Sequence, residues 1–102
     1  MDAPPRRIVR VSISGSVQQV GFRMWTEREA LVRGVEGWVR NRANGEVECL
    51  FAGEPEAVDS LLQACSSGPP HARVAKVEVT AGAEADLGLR GASMVFDILP
   101  TG

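Results

Sequence analysis

Apolar and polar residues alternate along residues 8 to 14, with Val9, Val11 and Ile13 on one side and Arg10, Ser12 and Ser14 on the other. A period of two predicts a half-buried strand. Residues 22 to 33 read as a helix of strong helix formers. Its inward arc holds Phe22, Trp25, Thr26, Ala30 and Val32, with Met24 and Leu31 on the far side. Gly34 suits its end. Residues 35 to 41 read as a second strand and 46 to 52 as a third, with Val47, Cys49 and Phe51 on one face. Between them Asn44-Gly45 is a strong hairpin signal. Residues 55 to 66 are the clearer helix. Pro55 suits its first position, Val58, Leu61, Leu62 and Cys65 recur at helical spacing, and Gly68-Pro69-Pro70 ends it. Residues 73 to 80 read as a fourth strand, 81 to 91 as a loop, and 93 to 99 as a last strand with Met94, Phe96 and Ile98 on one face.

The order is β-α-β-β-α-β plus a fifth, C-terminal strand. Two helices cannot cover both faces of a five-stranded sheet whose strands alternate with polar residues, so both are expected on one face. The fold class is α+β: a ferredoxin-like α/β sandwich with an antiparallel-rich sheet. A chain of 102 residues is expected to make one domain, residues 1 to 102, with a core over about 7 to 99 and loose ends.

Composition narrows the function. Net charge is −2, whereas phosphate-tracking nucleic-acid binders are usually basic, so no nucleic-acid partner is expected. The strand faces carrying Arg10, Ser12, Glu46, Glu48 and Leu50 offer no aromatic platform for RNA. No apolar run approaches the roughly 18 residues a transmembrane helix needs, and "MDAPPRR" has no apolar leader segment. No membrane partner is expected. Cys49 and Cys65 form no CxxC, and with a single histidine they cannot complete a zinc site. They read as reduced, buried thiols, which points to the cytoplasm. No metal and no cofactor are expected.

The chemistry concentrates in "GSVQQVGFR", residues 15 to 23. It joins the first strand to the first helix, so its last residues supply the first unpaired N–H groups of that helix. Those groups and the positive end of the helix dipole attract an anion. Gly15 and Gly21 let the backbone turn and approach a ligand. Arg23, one residue into the helix, carries a planar fork that can clamp a phosphate bidentately. The alternative from spacing alone is an ordinary connection with a surface arginine. The loop lacks the GxxxxGK[ST] pattern of a Walker A loop.

"GSVQQVGFR" resembles the acylphosphatase signature G-x-V-Q-G-V-x-F-R, and "GWVRN", residues 37 to 41, resembles that family's second signature. "NGEVE", "GEPEAV" and "GPPHARV" extend the likeness over roughly residues 7 to 98. The resemblance implies a five-stranded ferredoxin-like sandwich that hydrolyses acyl phosphates to carboxylate and inorganic phosphate. It implies that the loop amides of Val17, Gln18, Gln19, Val20, Gly21 and Phe22 cradle the phosphoryl oxygens. Arg23 would clamp the phosphate, and Asn41 would hold the attacking water. One position departs from the pattern: Gln19 stands where the family has glycine. Inorganic phosphate, the product, is expected to inhibit, and the enzyme is expected to be a monomer.

The residue chemistry is compatible with that activity. An acyl phosphate has a good leaving group, and phosphoryl transfer needs positioning and charge stabilisation more than a nucleophile. The amide of Asn41 does not titrate, so it can orient water but cannot act as a base. Asn41 ends the second strand, which is expected to lie beside the first and so near the loop. Otherwise Asn41 simply opens the hairpin. His71 reads as structural or solvated, Trp25 and Trp38 as packing residues, and Glu27, Glu29 and Arg33 as a solvated helix face. The competing function is a non-catalytic ferredoxin-like module that binds anions or regulates.

Overall fold

The computed structural model describes residues 5–91 and 94–102. The elements run β1 (Arg7–Ser16), α1 (Phe22–Val32), β2 (Glu36–Asn41), β3 (Val47–Gly53), α2 (Pro55–Cys65), β4 (Arg73–Ala81), a short 3-10 helix (Glu84–Leu89) and β5 (Phe96–Ile98). The strands form one sheet in the order β4-β1-β3-β2-β5, antiparallel except for the β2–β5 pair.

Alternation in β1 places Val9, Val11 and Ile13 in the core, where they meet Val47, Cys49 and Phe51 of β3. Both helices lie on that face. α1 contributes Phe22 and Ala30, and α2 contributes Val58, Leu61 and Cys65. Each fully buried Val, Leu, Ile or Phe of this core stabilises the fold by roughly 1.5–3 kcal/mol. Phe22 also meets Trp25 edge-on, with ring centroids 5.3 Å apart. The inward arc of α1 is narrower than the sequence suggests: Val32 is 78% exposed. The helix ends there, and Gly34 follows with φ of 69°.

β2 does not lie beside β1. β3 sits between them, because β1 pairs antiparallel with both β3 and β4 while β2 pairs with β3 and β5. The opposite sheet face is also less open than alternation implies. Trp38, Leu50, Ala52, Leu87 and Leu99 form a second, smaller buried cluster there, with Ile8 packed against it. The span expected to be a plain loop supplies Leu87 from its 3-10 helix. Trp38 Nε1 donates to the Asp86 carbonyl at 2.8 Å, fastening that helix to the sheet.

The last strand is shorter than expected, Phe96–Ile98. Phe96 is buried against Phe51, Met94 precedes the strand and is 43% exposed, and Ser93 lies outside the described residues. The hairpin signal also resolves differently from a two-residue turn. Arg42 N–H donates to the Glu46 carbonyl at 2.8 Å and Gly45 N–H to the Arg42 carbonyl at 3.1 Å. Only Gly45 of the Asn44-Gly45 pair has positive φ. This is a three-residue connection whose left-handed residue comes last.

Candidate active site

The β1–β4 register slips between Ser14 and Gly15, after which Gly15 and Ser16 stay paired to Val74 and Arg73. The chain then crosses to Gly21, the residue that caps α1. Gly21 has φ of 78°, makes no side-chain cap, and no acidic residue occupies the first turn. The first N–H groups of α1 are therefore left without the usual side-chain acceptor, which is the condition for binding an anion there.

A pocket of about 240 Å³ opens at this helix end, lined by Val17, Gln19, Gly21, Phe22, Arg23, Met24, Asn41 and Ile98. Arg23 and Asn41, expected from the sequence to share a site, do border one pocket. Among the described residues Arg23 makes no ion pair, so its charge is not neutralised by a neighbouring carboxylate. Asn41 arrives by a different route from the one expected. It does not adjoin β1; it pairs with Val47, which on its other side pairs with Ile13. Its carbonyl also accepts the Gly102 N–H at 3.1 Å.

The six loop residues divide. Val17, Gln19, Gly21 and Phe22 border the pocket, whereas Gln18 and Val20 do not. Val20 packs against the main core. Gln18 turns toward the hairpin, and its Nε2 donates to the carbonyls of Arg42 and Glu46 at 2.8 and 2.9 Å. Gln19 has φ of 63° and is the one non-glycine residue with positive φ among the described residues. The departure from the family pattern thus falls on a position that is left-handed. Two wall residues were not singled out as site residues, Met24 and Ile98. An exposed methionine directly after Arg23 was the available signal for the first. Ile98 gave none, since its alternation marked it as core.

A second charged cluster lies beside β2, outside the pocket. Glu48, only 8% exposed, accepts hydrogen bonds from Arg10 at 2.9 Å and Arg40 at 2.8 Å, and forms an ion pair with Arg42 at 3.3 Å. Arg10 also bonds Asp86 at 2.8 Å. Arg40 and Arg10 lie 5.1 and 5.7 Å from the centre of the Trp38 ring. Burial works against the charge on Glu48, but the hydrogen bonds from Arg40 and Arg10 outweigh it and hold the carboxyl below its ordinary range. Among the described residues no group of His, Cys, Asp and Glu could hold a metal ion, and no helix is long and apolar enough to cross a membrane.

An uncapped helix end, an unpaired arginine and a carboxamide around one small pocket make a site suited to a small oxyanion, carried on an α/β sandwich. Residues 9–88 match the acylphosphatase family model. The chain is 50% identical over 97 residues to an acylphosphatase of Bradyrhizobium diazoefficiens, which covers 94% of this chain and 97% of that one. The crystal structure of acylphosphatase from Bacillus subtilis is similar to it with a TM-score of 0.78 at 34% identity, over 90% of this chain and 97% of that one. An acylphosphatase structure from Coxiella burnetii matches with a TM-score of 0.79 at 29% identity, over 92% and 93% of the two chains. The chain belongs to the acylphosphatase family.

Proposed function

We propose that the chain hydrolyses the carboxyl–phosphate bond of acyl phosphates in this pocket, releasing a carboxylate and inorganic phosphate. The observation that carries the assignment of roles is that Arg23, the uncapped end of α1 and Asn41 border the same pocket from separate elements. Of the loop residues, Val17, Gln19, Gly21 and Phe22, which border the pocket, supply the amides around the phosphoryl oxygens. Arg23 clamps two of them through its fork. Asn41 accepts or donates a hydrogen bond to a water and aims it at phosphorus.

In the reaction the water oxygen bonds to phosphorus as the bond from phosphorus to the acyl oxygen breaks. The carboxylate leaves with the electron pair, and a water proton passes to a phosphate oxygen of the substrate. No side chain needs to act as base, and the carboxylate needs no protonation to leave. Preorganised donors supply the stabilisation, and losing one such donor typically costs about 10²–10³ in rate. The chain works as one domain, as a monomer, and is inhibited by its phosphate product. Its two buried free thiols fit the reducing cytoplasm.

The test is hydrolysis of benzoyl phosphate by the purified chain, followed by phosphate release. Saturable turnover is expected, with competitive inhibition by inorganic phosphate and no effect of EDTA. A rate no greater than in buffer alone overturns the assignment.

A further inference from the structure

We propose that the Gln18 side chain is a positioning residue that locks the phosphate loop to the β2–β3 hairpin and so sets the loop's distance from Asn41. The inference rests on the reading of the pocket given above.

The sheet itself does not make this connection. Ile13, Val47 and Asn41 stand in one row across β1, β3 and β2, which separates Ile13 from Asn41 by two strand spacings, about 9.5 Å. Beyond Ser14 the backbone of β1 stays paired to β4, on the side away from β2. No ladder therefore ties the loop to the hairpin. The Gln18 amide does so instead. Its Nε2 reaches two carbonyls at once, Arg42 at 2.8 Å and Glu46 at 2.9 Å. Only the nitrogen end of a carboxamide can face two carbonyl oxygens, since it alone carries two protons.

The two acceptors are the carbonyls that close the hairpin through Gly45 N–H and Arg42 N–H. Arg42 directly follows Asn41 in the chain. Holding its carbonyl therefore fixes the end of β2 against the loop, one residue from the water-positioning amide. Gln18 does not border the pocket, although Val17 and Gln19 on either side do. Its side chain thus acts through other groups and not on the substrate.

The experiment combines Gln18→Met, which keeps length and removes the donors, with Asn41→Ala. Benzoyl phosphate turnover, inhibition by inorganic phosphate and thermal unfolding are read for both single variants and the double variant. Gln18→Met is expected to lower kcat by up to about 100-fold, a loss that an ångström of misplacement can cause. The inhibition constant for phosphate should move by less than about threefold, because ground-state binding needs the loop and Arg23 only. In the Asn41→Ala background the same substitution should cost nothing more. Gln18→Asn, one methylene too short to reach both carbonyls, must show the same split and serves if the methionine variant does not fold.

Three outcomes overturn the inference: wild-type kcat in either folded Gln18 variant, equal losses with and without Asn41, or phosphate inhibition that weakens in step with kcat. An inactive wild-type chain would instead sink the reading of the pocket. An active wild type with any of those three outcomes sinks only the role of Gln18.

Discussion

Gln19 and Gly21, two residues apart in the loop, both hold left-handed backbone, with φ of 63° and 78°. Nothing lies within 4 Å of a Cβ built on Gly21, so its glycine answers to backbone conformation and not to space. Gln19 meets the same demand with a side chain, at a cost of about 1–2 kcal/mol. Gln19→Gly removes that strain but adds roughly 0.5–1 kcal/mol of unfolded-state entropy. The expected net gain is about 0.5–1 kcal/mol, or a thermal midpoint higher by roughly 5 °C. Calorimetry of the two proteins checks this; a lower midpoint would mean that the Gln19 side chain stabilises the loop by contacts that outweigh its strain.

Gly37, the first residue of "GWVRN", is required by close approach. A Cβ there would lie 1.7 Å from the Leu50 carbonyl oxygen, and the residue has φ of 143°. Its N–H donates to the Val95 carbonyl at 3.1 Å, where β5 joins the sheet. Gly37→Ala must push β2 off β3, so a loss of about 3 kcal/mol is expected. Denaturant unfolding measures it, and a change below about 1 kcal/mol would show that the strands separate easily.

The Glu48 cluster predicts an acid-sensitive stability. Its folded-state carboxyl is held below the ordinary value by Arg40 and Arg10 against the opposing effect of burial. A depressed pKa contributes stability that is present above the unfolded value and is lost as pH falls through the folded one. Glu48→Gln is therefore expected to lower stability by about 2 kcal/mol at neutral pH and to flatten the loss of stability on acidification. Thermal midpoints of both proteins from neutral pH into the carboxylate range give the comparison. Parallel curves would place the acid sensitivity elsewhere.

The thiols predict a reactivity contrast. Burial pushes Cys65 up to about 12 and Cys49 well above its ordinary value. Thiolate is the reactive form, so both should resist a thiol reagent in the native protein and react at once in denaturant. Fast labelling of native protein at neutral pH would mean that α2 opens readily from the sheet.

The core was legible in the chain because it rests on local periodicity. Val9, Val11 and Ile13 announce one face of β1, and Val58, Leu61 and Cys65 announce one face of α2. The site was legible through the residue types at the β1–α1 junction and through its two signatures. Strand neighbours were not, because pairing of β1 with β3 and β4 is a long-range choice that no period encodes. The second cluster escaped for a related reason. Leu50 and Ala52 show one polar-facing strand edge until Leu87 and Leu99, distant in sequence, arrive to cover Trp38. The inward turn of Gln18 was equally hidden, since adjacent glutamines look alike until the fold sets one toward the hairpin and the other on the pocket wall.

Arg23 and Asn41 border one pocket but should fail differently when removed. Arg23 offers charge to the phosphoryl oxygens in the substrate, in the transition state and in the product. Arg23→Gln should therefore abolish inhibition by phosphate along with turnover, a loss of at least about 10³ in kcat/KM. Asn41 acts only on the water, which inorganic phosphate binding does not require. Asn41→Ala should lower kcat by about 10²–10³ while phosphate inhibition holds. The hydrogen bond from Gly102 to the Asn41 carbonyl survives the substitution, because it uses the backbone, so the fold should be little affected. Steady-state rates with benzoyl phosphate, with and without inorganic phosphate, separate the two. If phosphate inhibition collapses in Asn41→Ala, the amide shapes the pocket and does not merely place water. If Arg23→Gln retains turnover, the loop amides alone carry the phosphoryl group.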